Sequence, residues 1–283
     1  MTSNDEPRVA VYFDFDNIVI SRYDELHGDS AYRSDTGRNA TMTPRTEKRL
    51  AEATVDIDAI LDYATTFGTI ALARAYADWS TPVNASYRRQ LIDRAVDLVQ
   101  LFPLVRSLKN GADIRLSVDA MEDMFRLEDI SHIVIVAGDS DYVALAQKAK
   151  RLGRYVVGIG VTGGTSGALA AACDEFADYN ALLRTDDQTD DDAAEGAAEA
   201  GRKASGAAGR RSRKGTEADG GEAEPSTQPR NPTRLLVTAI ELLRTKNDQE
   251  WQLSGGVKSQ MQRMDSSFQE RRDRKSTRLN SSH

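Results

Sequence analysis

The stretch that most constrains the fold is residues 133–141, which read IVIVAGDSD. Its first five residues are apolar and mostly β-branched, a pattern typical of a strand that is buried on both faces of a parallel sheet. Gly138 ends the run, and Asp139 and Asp141 follow on either side of Ser140. Open parallel sheets bind ligands at the carboxyl ends of their strands. Two neighbouring carboxylates there repel each other, and a divalent cation relieves that repulsion. The alternative is that Asp139 or Ser140 only caps the following helix.

The same alternation of short apolar runs and helical periods extends from residue 8 to residue 184. The pattern predicts strands at residues 8–13, 69–77, 102–108, 133–137, 155–161 and 175–180, and helices at residues 46–67, 84–100, 112–126, 142–151 and 168–173. Residues 21–45 are polar and lack an apolar period, so they are predicted to form a long mobile loop beside a strand end. Strands and helices that alternate in this way predict an α/β fold, with a parallel sheet between two layers of helices.

Composition limits the class of protein. No run approaches the roughly 18 apolar residues of a membrane span, and the first residues do not resemble a signal peptide. With a single cysteine, Cys173, the chain forms no internal disulfide, and a cysteine-built zinc site is disfavoured. We therefore expect a cytoplasmic protein without a membrane partner. Up to residue 184 the chain carries 27 acidic and 20 basic residues, a balance that argues weakly against a nucleic-acid substrate.

The chain changes character after residue 184. Residues 185–230 are rich in alanine, glycine and charge and contain no aromatic residue, so they are predicted to be a disordered linker. An apolar helical pattern returns in residues 231–270, as in a small helical module that is cut short. Residues 271–283 are polar without a core face, and we expect them to be a non-native or disordered tail.

Four aspartates form the candidate constellation. Asp14 ends the first predicted strand, Asp119 lies in the helix at residues 112–126, and Asp139 and Asp141 follow the strand described above. In an alternating α/β domain these side chains can converge near the sheet centre. Carboxylates suit Mg²⁺ or Mn²⁺, which retain water for phosphodiester chemistry. Several of them could instead be helix caps or surface charges.

Three ordered motifs then point to a family. They are YFDFDNI at residues 12–18, KNGADIRLSVDAM at residues 109–121 and VIVAGDSDYVAL at residues 134–145. Together they resemble the NYN family, in its LabA-like branch of the PIN-like nuclease superfamily, over about residues 8–181. The resemblance implies a PIN-like Rossmannoid domain and a metal-dependent ribonuclease site. Residues 234–268 resemble the beginning of a LOTUS (OST-HTH) domain, a winged-helix-like module associated with RNA binding.

The resemblance also implies roles for residues. Its metal set is Asp14, Asp119, Asp139 and Asp141, and Asn17 is the polar partner that orients a metal-bound water or a phosphate. Asp16 stands at a variable position and ranks lower. Asp113 lies six residues before Asp119, about 600° of helical rotation, so it is expected to be structural.

Substrate contacts are expected from Ser140, Lys109 and Arg22. The backbone N–H of Ser140, at a helix N-terminus, would face a phosphate, and its side chain is expected to be a cap rather than a nucleophile. Further arginines that could contact RNA are Arg33, Arg38, Arg45, Arg88 and Arg89.

These features lead to a first hypothesis, a Mg²⁺- or Mn²⁺-dependent endoribonuclease that acts on RNA with a tethered RNA-binding module. A second hypothesis is a regulatory RNA-binding protein with a degenerate acidic site. A third is a phosphatase or phosphotransferase in which Asp14 and Asp16 form a nucleophile pair. The sequence leaves a homodimer open.

Overall fold

The computed structural model describes residues 6–37, 42–102, 111–161, 163–183, 232–247, 252–265 and residue 268. Its centre is a parallel sheet of six strands in the order β3-β2-β1-β4-β5-β6. The strands are β1 Arg8–Asp14, β2 Thr69–Ala77, β3 Asp97–Gln100, β4 Ile130–Val136, β5 Tyr155–Gly160 and β6 Glu175–Asp178. The chain therefore winds outward in one direction from β1 and in the other from β4. This strand order leaves a crevice at the carboxyl ends of β1 and β4, where doubly wound sheets bind ligands.

Helices cover both faces of the sheet. They are α1 Phe15–His27, α2 Ala31–Thr36, α3 Pro44–Glu52, α4 Ile57–Ala64, α5 Pro82–Ser86, α6 Arg88–Asp93, α7 Ala112–Arg126, α8 Val143–Arg151, α9 Gly167–Ala172, α10 Pro232–Asn247 and α11 Ser254–Met264. Single 3₁₀ turns occur at Thr65–Phe67 and Ser140–Tyr142. The predicted α/β class, with a sheet between two helical layers, is confirmed. Among the described helices, none is long and apolar enough to cross a membrane.

The alternation of side chains along β1 explains the two cores. Val9, Val11 and Phe13 point to the face covered by α1 and α4. Ala10 and Tyr12 point to the face covered by α7 and α8. Because all five are fully buried, the strand is apolar along its length, as expected of a parallel strand with helices on both sides.

The predicted loop at residues 21–45 is wrong, because α1 continues to His27 and α2 and α3 follow. Buried Tyr23 anchors this region, since its hydroxyl donates to Asp35 at 2.7 Å and Arg49 donates to the same carboxyl oxygen at 2.7 Å. Residues 38–41 lie outside the described part of the chain. The sequence pattern misses this arrangement, because some of its charged side chains, such as Asp35, are half-buried and bonded within it rather than facing solvent.

Two predicted helices are also wrong in their extent. The helix predicted at residues 46–67 is divided into α3, α4 and a 3₁₀ turn, and Asp56 caps α4 by accepting from the Ala59 N–H at 3.0 Å. The helix predicted at residues 84–100 is replaced by α5, α6 and strand β3. The chain reverses at Ala95, which has a positive φ of 54°. Of the strand predicted at residues 102–108, only Phe102 is described, and it lies outside any strand.

The two C-terminal helices pack against the sheet domain. Leu235 and Leu242 of α10 and Met261 of α11 belong to the same buried cluster as α1 and α4. Gln260 is fully buried and its amide donates to the Thr65 hydroxyl at 2.8 Å. Because Thr65 precedes β2, these helices lie at the amino ends of the strands, opposite the crevice.

Candidate functional site

The site lies at the carboxyl ends of β1 and β4, on either side of the crevice. Asp14 is the last residue of β1 and also the N-cap of α1. Asp139 follows β4 and caps the 3₁₀ turn Ser140–Tyr142. Asp14 and Asp139 are therefore both strand-end carboxylates and caps, so the two alternatives do not exclude each other.

Asp14 is a buried carboxyl with two hydrogen bonds. It is 7% exposed. One oxygen accepts from the Asn17 N–H at 3.2 Å, and the other accepts from the Tyr142 hydroxyl at 2.7 Å. Burial raises the pKa of Asp14 to about 6, and the nearby Asp16 and Asp139 carboxylates add to the rise, while the two hydrogen bonds oppose it. Carboxyl groups with raised pKa values cluster at functional sites, which makes Asp14 a candidate site residue.

Asn17 joins the two halves of the crevice. Its side-chain oxygen accepts from the Gly138 N–H at 2.9 Å, which ties the start of α1 to the end of β4. At Gly138 a Cβ would lie 2.5 Å from the Gly164 carbonyl oxygen, so only glycine fits there. The contact gives Asn17 a structural role, and the predicted orientation of a water or phosphate stays a prediction.

The GDSD segment is exposed beyond its glycine. Asp139, Ser140 and Asp141 are all exposed. The Asp139 carboxyl accepts from the Asp141 N–H at 3.1 Å and from the Ser140 hydroxyl at 3.4 Å. The expectation that Ser140 is the cap is therefore wrong, since Asp139 takes that position. Among the described residues, the Ser140 hydroxyl bonds only to Asp139, at 3.4 Å. Within this part of the chain, no general base is therefore placed to activate Ser140 as a nucleophile.

Helix α7 carries two carboxylates, Asp113 and Asp119, that act on tyrosines beside Asp14. Asp119 accepts from the Tyr76 hydroxyl at 3.0 Å and from Arg115 Nε at 2.9 Å. Tyr76 on β2 is the register partner of Asp14. Burial of the Tyr142 hydroxyl raises its pKa, and the charges of Asp14, Asp113 and Asp139 add to that rise.

The structural role expected of Asp113 stays a prediction, and sequence reasoning did not single out Tyr142, Tyr76 or Arg115. Tyr142 directly follows GDSD, and this adjacency was the available signal. Tyr76 gave no such signal, because its place beside Asp14 depends on the register of β1 and β2.

The expected substrate contacts are mostly engaged elsewhere. Arg22 donates to Asn180 at 2.5 Å and to Glu25 at 2.9 Å, and its guanidinium lies 5.6 Å from the centre of the Tyr179 ring. Lys109 and Arg38 lie outside the described residues. Arg88 donates to the Trp79 carbonyl, Arg89 lies 3.7 Å from Asp93, and Arg33 and Arg45 are exposed. Contact with RNA by any of these residues stays a prediction.

Comparison with known proteins identifies the family, because residues 8–180 match the NYN domain. The chain belongs to the NYN domain family. NYN domains are part of the PIN-like nuclease superfamily. An uncharacterised protein of Methanocaldococcus jannaschii is 31% identical over 124 residues, which are 44% of this chain and 47% of that protein. This chain thus spans about half the length of that relative.

One solved structure is also similar to the chain. It is the crystal structure of a protein of unknown function from Vibrio parahaemolyticus, with 21% sequence identity and a TM-score of 0.46. The match covers 63% of this chain and 96% of that protein.

PIN-like nuclease domains generally use divalent metal ions. The carboxylates at the crevice of this NYN domain are oxygen donors of the kind that Mg²⁺ and Mn²⁺ prefer. Asp14 fits such an ion, because burial, and to a smaller extent the nearby Asp16 and Asp139 charges, disfavour its carboxylate form, and a bound cation stabilises that form. Within the described ranges, no three acidic, histidine or cysteine side chains are grouped closely enough to hold an ion as they stand. The exposed Asp139 and Asp141 side chains would therefore have to turn toward Asp14.

Proposed function

We propose that this NYN protein is a divalent-metal-dependent endoribonuclease that hydrolyses phosphodiester bonds in RNA. The observation that carries the proposal is buried Asp14 at the crevice, hydrogen-bonded to Tyr142 and close enough to Asp139 for the two charges to repel each other. Asp14, Asp139 and Asp141 would hold Mg²⁺ or Mn²⁺, together with Asp113 and Asp119 of α7. When bound, the ion polarises the phosphodiester group, activates a water molecule and stabilises the leaving oxygen.

Other residues of the site orient the carboxylates, balance their charge and contact the substrate. Tyr142 and the Asn17 N–H hold the Asp14 carboxyl in one orientation. Arg115 forms an ion pair with Asp119. Because the Asp119 charge is already balanced, a cation would stabilise this carboxylate less than the others. The Asn17 side chain keeps the ends of β1 and β4 at a fixed separation. Ser140 is exposed at the mouth of the site, where its backbone N–H would meet a phosphate oxygen.

The decisive experiment compares RNA cleavage by the wild type with that by Asp139→Asn. We expect cleavage of a mixed pool of structured and single-stranded RNAs to require Mg²⁺ or Mn²⁺. The substitution should reduce the rate by about 100-fold or more, since one oxygen ligand loses its charge. Asp129→Asn is the matched control, because Asp129 lies at the amino end of β4 and pairs with Arg8 on the surface. Cleavage that persists in EDTA, or that Asp139→Asn leaves unchanged, would contradict the proposal.

A second candidate is an RNA-binding regulatory protein without catalysis. It is favoured by the spacing of the carboxylates in the described part of the chain, which does not close around an ion. RNA binding without turnover, and no rise in melting temperature with Mn²⁺, would select this alternative. Assignment to the LabA-like branch, RNA binding by a LOTUS-like module, a cytoplasmic location and a homodimer stay predictions from the sequence.

A further inference from the structure

Asn84 of α5 is a buried polar residue beside the site. It is 2% exposed. Its amide nitrogen donates to the Asp16 carboxyl at 2.6 Å and to the Asp78 carbonyl at 3.0 Å. Asp78 follows β2 and Asp16 follows β1, so this amide connects the ends of the two strands. No sequence motif singled out Asn84.

The orientation of the Asn84 amide is fixed by chemistry. Both neighbours of its nitrogen are acceptors, so a rotated amide would place oxygen against oxygen in two directions. The backbone is held as well, because the Asn84 N–H donates to the Thr81 hydroxyl at 3.4 Å and that hydroxyl donates to the Asp78 carbonyl at 3.1 Å. The amide is therefore a rigid support for the Asp16 carboxyl.

The side-chain oxygen of Asn84 is buried and accepts no hydrogen bond from the residues that the structure describes. A buried acceptor without a donor costs about 1–3 kcal/mol, and such groups are rare enough in folded proteins to suggest a functional cause. The Asp16 carboxyl on the same amide lies close enough to Asp14 for its charge to act on that residue. The amide that carries the unused acceptor thus contacts a carboxylate beside Asp14 through its nitrogen.

We propose that Asn84 is a positioning residue that holds Asp16 as a further carboxylate for the divalent cation, an inference that rests on the proposed function. Once the carboxylates had turned around the cation, the Asn84 oxygen, which is closed to solvent as it stands, would accept from a water molecule of the hydration shell, since Mg²⁺ and Mn²⁺ sites usually keep several waters. Hydrogen-bonded partners of metal ligands fix the ligand's orientation, and their loss typically weakens metal binding by about 10- to 100-fold. Asp16, which the sequence ranked below the other aspartates, becomes a member of the site.

The test is Mn²⁺ binding to the full chain, measured from the free Mn²⁺ signal in electron paramagnetic resonance. Four proteins are compared: the wild type, Asp16→Asn, Asn84→Ala and the double variant. Each single substitution should raise the Kd by about 10-fold or more. If Asn84 acts through Asp16, the double variant should bind no more weakly than the weaker single variant, because coupled residues are not additive. Asn180→Ala is the control, since Asn180 bonds to Arg22 and Glu25 instead and its loss should leave the Kd unchanged.

A purely structural Asn84 would give a different result. In that case Asn84→Ala lowers the melting temperature but leaves the Kd for Mn²⁺ at the wild-type value, which overturns the inference. An unchanged Kd for Asp16→Asn overturns it as well, and this variant keeps the acceptor that Asn84 needs, so it decides the question even if Asn84→Ala does not fold. If the wild type binds no Mn²⁺, the proposed function fails together with the inference. If wild-type binding depends on Asp139 but not on Asp16, only the inference fails.

Discussion

Asp14 carries a charge in a place that disfavours charge. Its pKa is raised from 3.8 to about 6, mainly by burial. A carboxyl whose pKa is higher in the folded than in the unfolded protein destabilises the fold at high pH. The stabilising effect of its protonated form is complete below pH 3.8 and is lost as the pH rises through about 6. At neutral pH the ionised Asp14 therefore lowers the stability of the metal-free protein. Such a loss of stability is expected where a residue serves binding rather than folding.

Asp14→Asn should therefore stabilise the metal-free protein while it abolishes RNA cleavage. At pH 8 in EDTA we expect the free energy of unfolding to rise by about 1–2 kcal/mol, because a neutral amide replaces the buried charge. The gain should shrink toward pH 5. Urea denaturation at both pH values measures it. Asp141→Asn, at an exposed position, should change the free energy by less than about 0.5 kcal/mol. A loss of stability in Asp14→Asn at pH 8 would show that the charge is not the destabilising feature.

Tyr142→Phe should move the acid limb of the cleavage profile to higher pH. The Tyr142 hydroxyl donates to Asp14 and lowers the pKa of that carboxyl, so its removal lets the pKa rise further. We expect a shift of about one pH unit, measured as initial cleavage rates between pH 5 and pH 8 at one Mn²⁺ concentration below saturation, where the proton and the cation compete for Asp14. Tyr76→Phe is the control, because its hydroxyl bonds to Asp119 and its loss should leave the acid limb in place. Equal shifts in both variants would assign the effect to general packing.

The residues of the candidate site could be predicted only where they followed strands. Asp14 and Asp139 were recognisable because apolar β-branched runs end directly before them. The argument that Asp113 and Asp119 occupy different sides of α7 agrees with their contacts, since Asp119 meets Tyr76 and Asp113 acts on Tyr142. What periodicity could not reveal is which residues of the sheet α7 meets. That fact depends on where α7 crosses the strands, which is a tertiary property.

At the scale of elements, strands were predicted more accurately than helices. The run at residues 133–137 is apolar without interruption and admits one interpretation. The segment after Asn84 placed Leu91, Val96 and Leu98 at helical spacing, but Ala95 turns the chain with a positive φ, and Leu98 belongs to edge strand β3. Short helices followed by an edge strand leave the same apolar spacing as one longer helix. Tertiary packing against β2, rather than local pattern, decides between them.

At the scale of the whole molecule, the C-terminal helices α10 and α11 contact the sheet domain, although the sequence predicts a separate module. The composition of residues 185–230 predicts a tether to a separate module, and that range lies outside the described residues. The helices beyond it are nevertheless docked. Lys246 donates to the Thr66 carbonyl at 2.5 Å and lies 4.0 Å from the centre of the Phe67 ring, while Arg263 donates to Glu6 at 2.6 Å. Contacts between segments so distant in sequence follow from complementary surfaces, which composition does not encode.

Because α10 and α11 cover the amino ends of the strands, their packing should affect stability and leave the chemistry alone. Met261→Ala removes a side chain that is 6% exposed in the shared core, and we expect the free energy of unfolding to fall by about 2–3 kcal/mol. The kcat/KM for RNA cleavage should stay within about twofold of the wild type, since the site is at the opposite edge of the sheet. Leu253→Ala, at a residue 85% exposed, should change neither quantity.

Urea denaturation and cleavage assays on the full chain measure both quantities under one set of conditions. Unchanged stability in Met261→Ala would mean that the helix pair leaves the sheet domain in solution, as the tethered module of the first hypothesis requires. A large loss of kcat/KM without a loss of stability would instead mean that the docked helices transmit an effect across the sheet. The expected combination, lower stability with intact catalysis, makes the helix pair a structural part of the NYN protein, because buried contacts far from a reacting centre act on the folding equilibrium rather than on the barrier.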